Sequence, residues 1–167
     1  MLAAARIGDT FNFYREGERA ELLRARLWAY LKGRVAAPVL LVGEAPGYRG
    51  ARVSDVPFTS ERQLTGSGPA EATATIVRGV LADVGIEEEV LLWNVVPTHP
   101  GTESSNRRPS RAEVEGGRPF VRELARGRKV IAVGRVAEAA VGAPYVRHPS
   151  HGGAAGFRHG LKTLLCC

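Results

Sequence analysis

The sequence predicts a three-layer α/β/α sandwich around a central, mainly parallel, four-stranded sheet. Short runs that are apolar on both faces punctuate the chain, and segments of helical length separate them. Strands alternating with helices in this way make a parallel sheet covered on both sides. The whole chain, residues 1–167, is expected to fold as one domain, since 167 residues is close to the usual figure of roughly 150. Its 44% hydrophobic and 24% charged residues exclude wholesale disorder and fibrous structure.

The elements follow in order. A helix over Glu16 to Lys32 leads to the strand Pro38 to Gly43, PVLLVG. The next helix, Pro69 to Asp83, has Pro69 in its first turn and precedes the strand Val90 to Val96, VLLWNVV. Ser110 and Glu113 have capping-box spacing and open a helix to Ala125, followed by the strand Lys129 to Gly134, KVIAVG. A short helix, Val136 to Val141, leads to the weakest strand, Pro144 to His148, and Gly152 to Leu165 reads as a loop and closing helix. The stretch Glu44 to Gly68 holds no expected element. It exceeds the usual connection length and is therefore read as functional rather than as a passive linker.

Composition narrows the function. The net charge is +6, and of 23 basic residues only Lys32, Lys129 and Lys162 are lysine. Arginine's planar fork suits phosphate and stacks on bases, although a GC-rich genome produces the same bias. From Arg126 onward seven basic residues face one acidic residue, so a polyanion partner is expected there. The only cysteines, Cys166 and Cys167, cannot build a disulfide framework, a four-cysteine zinc site or a cysteine-ligated cluster. The N-terminus lacks the pattern of a signal peptide and no run is long enough to cross a membrane, so a cytoplasmic location is expected.

Ligands in open α/β sheets bind beyond the carboxyl ends of the strands. That rule singles out three segments: GEAPGY (Gly43 to Tyr48) with Pro57-Phe58-Thr59-Ser60 beyond it, WNVVPTHP (Trp93 to Pro100) with Asn106-Arg107-Arg108-Pro109, and RHPSH (Arg147 to His151). The first is a tight turn whose backbone N–H groups can approach a ligand, and no Gly-Lys-Ser/Thr follows to make it a P-loop. Asn94, at a strand end, presents a donor and an acceptor together, which suits the polar edge of a base. His148, held by Pro149, is placed to donate a hydrogen bond into a site. His148, His151 and His159 lack a carboxylate or thiolate neighbour in sequence, so no metal is expected.

Taken together, GEAPG, PF, NVV, NRRP and HPS, in this order between Leu40 and about Gly160, resemble the uracil-DNA glycosylase superfamily, and most closely its family-four and family-five bacterial members. The resemblance implies a parallel four-stranded sheet between helices. It also implies excision of uracil, or of another deaminated base, from DNA by hydrolysis of the N-glycosidic bond. Phe58 would stack on the flipped base, Asn94 would read its polar edge, and His148 would contact O2 and stabilise the leaving anion. Gly43 and Ala45 would line the pocket. Gly47 matches the position where family-one enzymes carry a tyrosine that blocks the thymine methyl, so thymine exclusion falls to another group. Arg107, Arg147, Ser150 and Arg158, with Arg108, are expected to contact DNA. The expected partner is DNA containing uracil or another deaminated base, with no membrane partner, and the protein is expected to act as a monomer.

The sequence also departs from the family pattern. The four cluster cysteines of families four and five are missing, so no cofactor is expected. Ala45 stands where family-one enzymes carry the water-activating aspartate. Glu44 is then the first acidic candidate for that task and Asp55 the second. A glycine-rich turn replaces the usual apolar wedge after HPS, which leaves Phe157 or Arg158 as the wedge, unless the turn only connects to the last helix and Phe157 faces the core. A non-catalytic nucleic-acid-binding protein of the same fold is the alternative reading, and a nucleotide- or phosphate-binding α/β protein is a third.

Overall fold

The computed structural model describes residues 1–165; Cys166 and Cys167 lie outside the described residues. Helix α1 (Ala20–Gly33) leads to strand β1 (Val39–Gly43). Two short helices follow, α2 (Ala51–Ser54) and α3 (Glu61–Thr65), then α4 (Ala72–Val84) and β2 (Val90–Asn94). A two-stranded hairpin, β3 (Gly101–Thr102) and β4 (Ser105–Asn106), precedes α5 (Arg111–Ala125) and β5 (Lys129–Val133). The chain closes with α6 (Arg135–Val141), β6 (Tyr145–Val146) and α7 (Ala154–Leu165).

The four long-range strands form one parallel sheet in the order β2-β1-β5-β6. β1 is central, and Leu40, Leu41 and Val42 are fully buried because both faces of the sheet are covered. Alternation of side chains along each strand sorts the core into two halves. Leu40, Val42, Leu91, Trp93 and Ala132 pack with residues of α1, α5 and α6. Val39, Leu41, Leu92, Ile131 and Val133 pack with residues of α4 and α7. The helices after β1 and β2 thus leave to opposite faces, which opens a crevice at the carboxyl ends of the strands.

The structure agrees with the expected fold class and departs from it at element ends. α1 starts at Ala20 rather than Glu16, and β2 stops at Asn94, so Val95 and Val96 already belong to the loop. Pro69 lies outside α4, whose N-cap is Glu71. The long stretch after Gly43 does hold structure, two single-turn helices tied to α1 by Arg26 and Arg19, which both bond Glu61. At the amino-end pole α4 and α6 stop in left-handed glycines, Gly85 (φ 76°) and Gly142 (φ 65°), and Gly127 (φ 71°) turns the chain into β5. A Cβ on any of the three would meet nothing within 4 Å.

Candidate functional site

The three strand-end segments converge on one cavity of about 300 Å³, lined among others by Glu44, Phe58, Glu71, Asn94 and His148. Gly43 and Asn94 are register partners at the ends of β1 and β2. Gly43 is required by close approach: a Cβ there would lie 2.8 Å from Asn94 Oδ1 and run into the Phe58 ring. The GEAPG turn is latched to the next segment, Val95 N–H donating to the Gly43 carbonyl at 2.8 Å and Val96 N–H to the Glu44 carbonyl at 3.0 Å. Asn94 is buried, and its amide makes no internal hydrogen bond among the described residues. A buried amide left unpaired inside the protein is free to pair with a ligand.

Phe58 belongs to the apolar cluster on the α4 side of the sheet and adopts φ 51°, a strained value for a side chain of its size. Its loop is over-determined by neighbours. Ser54 Oγ donates to the Thr59 carbonyl at 2.6 Å, and Arg78 donates to Thr59 Oγ1 at 2.6 and 3.0 Å.

His148 follows β6 and is half-buried against Gly134, where a Cβ would sit 3.4 Å from the histidine Cβ. Ser150 N–H donates to His148 Nδ1 at 3.2 Å, and Ser150 Oγ lies 2.8 Å from the same nitrogen. A backbone N–H can only donate, so Nδ1 is an acceptor and the neutral ring carries its proton on Nε2. Burial, reinforced by His151, pulls the His148 pKa below its ordinary value and favours that neutral form. Ser150, expected to touch DNA, therefore also holds the tautomer of the histidine.

Two carboxyl groups share the cavity. Burial raises the pKa of half-buried Glu44, opposed by the charge of Arg108. Burial alone raises that of Glu71. Asp55 is fully buried and lies behind Asn94 in a separate small void, outside the cavity. Ala45 and Gly47 line the cavity as expected.

Other expected residues have different surroundings. Phe157, on α7, is fully buried in the core and cannot wedge a duplex, so of its two readings the one that has it face the core holds. Arg158 pairs with Asp83 of α4 at 2.6 Å. Arg107 borders the cavity, but both terminal nitrogens bond the buried Glu113, at 2.8 and 2.6 Å. Arg108 and Arg147 are exposed and make no side-chain hydrogen bond or ion pair among the described residues. Among the described residues His148, His151 and His159 belong to no cluster able to hold a metal ion.

Glu71 carries no sequence signal that singles it out, and the contacts made by His99 and Asn106 are not visible in the motifs that contain them. Glu71 sits in an unremarkable Pro-Ala-Glu-Ala stretch, and only the fold brings it against Gly47. The buried ring of His99 reaches the Pro46 carbonyl with Nδ1 at 2.8 Å and the Thr102 carbonyl with Nε2 at 2.9 Å, joining the GEAPG turn to the β3–β4 hairpin. Asn106 Oδ1 accepts from Tyr48 N–H at 2.8 Å and supports the same turn. A histidine within THP and an asparagine within NRRP are visible in sequence, but contacts across 53 and 58 residues are not.

Comparison with known proteins bears on the fold and on the family. No curated protein matches the chain. Among solved structures, the crystal structure of wild-type SMUG2 from Pedobacter heparinus superposes with a TM-score of 0.68 at 15% identity, covering 98% of this chain and 92% of that one. That likeness speaks for the fold. The family model of the Uracil DNA glycosylase superfamily matches residues 31–162, a span that contains every strand of the sheet and all the cavity residues named above, and the chain therefore belongs to that superfamily.

Proposed function

We propose that this protein is a DNA glycosylase that extrudes uracil from DNA and hydrolyses its N-glycosidic bond. One observation carries the reading: an unpaired buried amide at Asn94, an aromatic face at Phe58 and a neutral histidine with a free Nε2–H share one cavity. Uracil presents adjacent carbonyl and N–H groups on one edge, which Asn94 can pair with, and a flat face that Phe58 can cover. Stacking on Phe58 returns part of the cost of leaving the duplex. The C1′–N1 bond breaks with its electron pair leaving on the base, and positive character builds on the sugar. Nε2–H of His148 strengthens its bond to O2 as that negative charge develops, which lowers the barrier selectively. Water then adds its oxygen to C1′ and gives up a proton, for which ionised Glu44 is the acceptor in the cavity. Arg108 and Arg147 provide exposed charge for the phosphates, and the active unit is one copy of the chain.

The test is single-turnover cleavage of uracil-containing oligonucleotides, single- and double-stranded, read as alkali-sensitive sites. Wild-type protein is expected to release uracil. His148→Ala is expected to slow release roughly 100- to 1000-fold, and Phe58→Ala by about 1–3 kcal/mol of lost stacking, roughly 5- to 150-fold. Salt-sensitive DNA binding without base release would instead favour the non-catalytic alternative, and unchanged rates in both variants would reject the residue roles.

A further inference from the structure

On one side of the cavity the backbone alone leaves a gap, because Gly47 and Gly50 bring no side chain. A carboxyl group from a distant part of the sequence fills it. A Cβ on either glycine would collide with the carboxyl oxygens of Glu71, the N-cap of α4. The main chain of Glu71 is fixed on both sides: its N–H donates to Ser60 Oγ at 2.8 Å, and its carbonyl accepts from Thr75 N–H and Oγ–H at 3.1 Å. Ser60 lies two residues after Phe58, so one loop sets both the stacking ring and the carboxyl. Glu61 and Glu113 bond arginines, whereas the Glu71 carboxyl has no ion pair or hydrogen bond among the described residues. Half-burying a carboxyl without a partner costs stability, and no fold-stabilising bond offsets it here. Its raised pKa follows from that burial.

We infer that Glu71 is the specificity-determining residue of the base pocket, its carboxyl standing at the C5 edge of the pyrimidine and excluding bases with a C5 substituent. The inference rests on the glycosylase reading above. With Asn94 on the edge bearing N3 and O4 and His148 at O2, the edge left to face Gly47 is the one bearing C5. Gly47 cannot block that edge by itself. The neighbouring carboxyl can, because a methyl group there must either overlap it or push it deeper into its glycine-lined slot.

Single-turnover release of uracil and of thymine opposite guanine, from otherwise identical duplexes, tests the idea through their ratio. Glu71→Ala is expected to raise thymine release relative to uracil by roughly 10- to 200-fold, the usual discrimination of a pocket against one methyl-sized group. Glu71→Gln, with the same shape, is expected to keep the wild-type ratio. Glu71→Asp, which keeps a carboxyl and shortens the side chain, is expected to shift the ratio in the direction of alanine and serves if the alanine variant does not fold. An unchanged ratio in the alanine and aspartate variants overturns the inference. So does an equal loss of uracil release in the alanine and glutamine variants, which would make the carboxyl a participant in water activation. Wild-type protein that releases uracil while the variants behave in either of those ways leaves the glycosylase reading standing; wild-type protein that releases neither base takes both down.

Discussion

Asp55 shows how far burial moves a carboxyl that nothing answers. Among the described residues no hydrogen bond of good geometry reaches either of its oxygens, and the same holds for Trp93 Nε1, which borders the same void. Desolvation pushes the Asp55 pKa up to about 8, although the Tyr14 hydroxyl and Arg26 are close enough to pull it down. The folded state thus holds this proton more tightly than the unfolded chain, whose ordinary value is 3.8. Stability from this group is complete below that ordinary value and is lost as pH rises through about 8. Asp55→Asn is expected to unfold roughly 5–10 °C higher than wild type at a pH just above that titration, with a much smaller difference in mild acid. Thermal unfolding followed by circular dichroism over that range checks it, and parallel pH profiles for the two proteins would contradict it.

At the scale of elements, α5 shows how the site is braced from outside. Ser110 accepts from Glu113 N–H at 3.2 Å, and Glu113 accepts back from Ser110 N–H at 2.8 Å, the reciprocal cap visible in the sequence. Arg107 adds a two-pronged bond to the same buried carboxylate and is the main reason its pKa is held at about 2, far below 4.5. Because the folded pKa is depressed, this stabilisation is present above pH 4.5 and is lost as pH falls through about 2. Glu113→Gln is expected to cost about 2 kcal/mol at neutral pH, a melting decrease of roughly 4–8 °C that narrows below pH 4. β1, β2 and β5 were legible because their runs are mostly apolar on both faces, β6 less so because Arg147 and His148 close its run, and the Ser110 cap because its spacing is local. The internal use of Arg107 was not legible, since an arginine beside Arg108 and Pro109 reads equally well as a phosphate contact until Glu113 is seen to be buried. Phe157 was ambiguous for a related reason: a helix period fixes which residues share a face, but not which face meets the sheet. Glu71 and His99 act only through the crossover that brings distant loops to one pole.

The whole molecule carries a net charge of +6, and several of its arginines are committed to intramolecular pairs such as Arg26–Glu61, Arg107–Glu113 and Arg158–Asp83. Arg108 and Arg147, by contrast, are exposed and unpaired among the described residues, and both belong to the segments that form the cavity. The logarithm of the affinity for DNA is expected to fall linearly with the logarithm of salt concentration, since each neutralised phosphate releases counterions. Arg108→Ala and Arg147→Ala are each expected to lower the slope by about 1, and Arg158→Ala by less, as its guanidinium already holds Asp83. Fluorescence anisotropy of a labelled oligonucleotide across a salt series measures this, and wild-type slopes in the Arg108 and Arg147 variants would assign the DNA track elsewhere.

The left-handed glycine turns at Gly85, Gly127 and Gly142 lie at the amino ends of the strands, with open space around each. All the chemistry described above lies at the other pole, roughly the length of a strand away. The protein therefore has a handle as well as a working end. A fluorophore, an affinity tag or a tethering domain attached beside one of these turns, with the left-handed glycine itself kept, adds mass far from the cavity, so the molecule can be held, watched or recruited without altering the cavity's geometry.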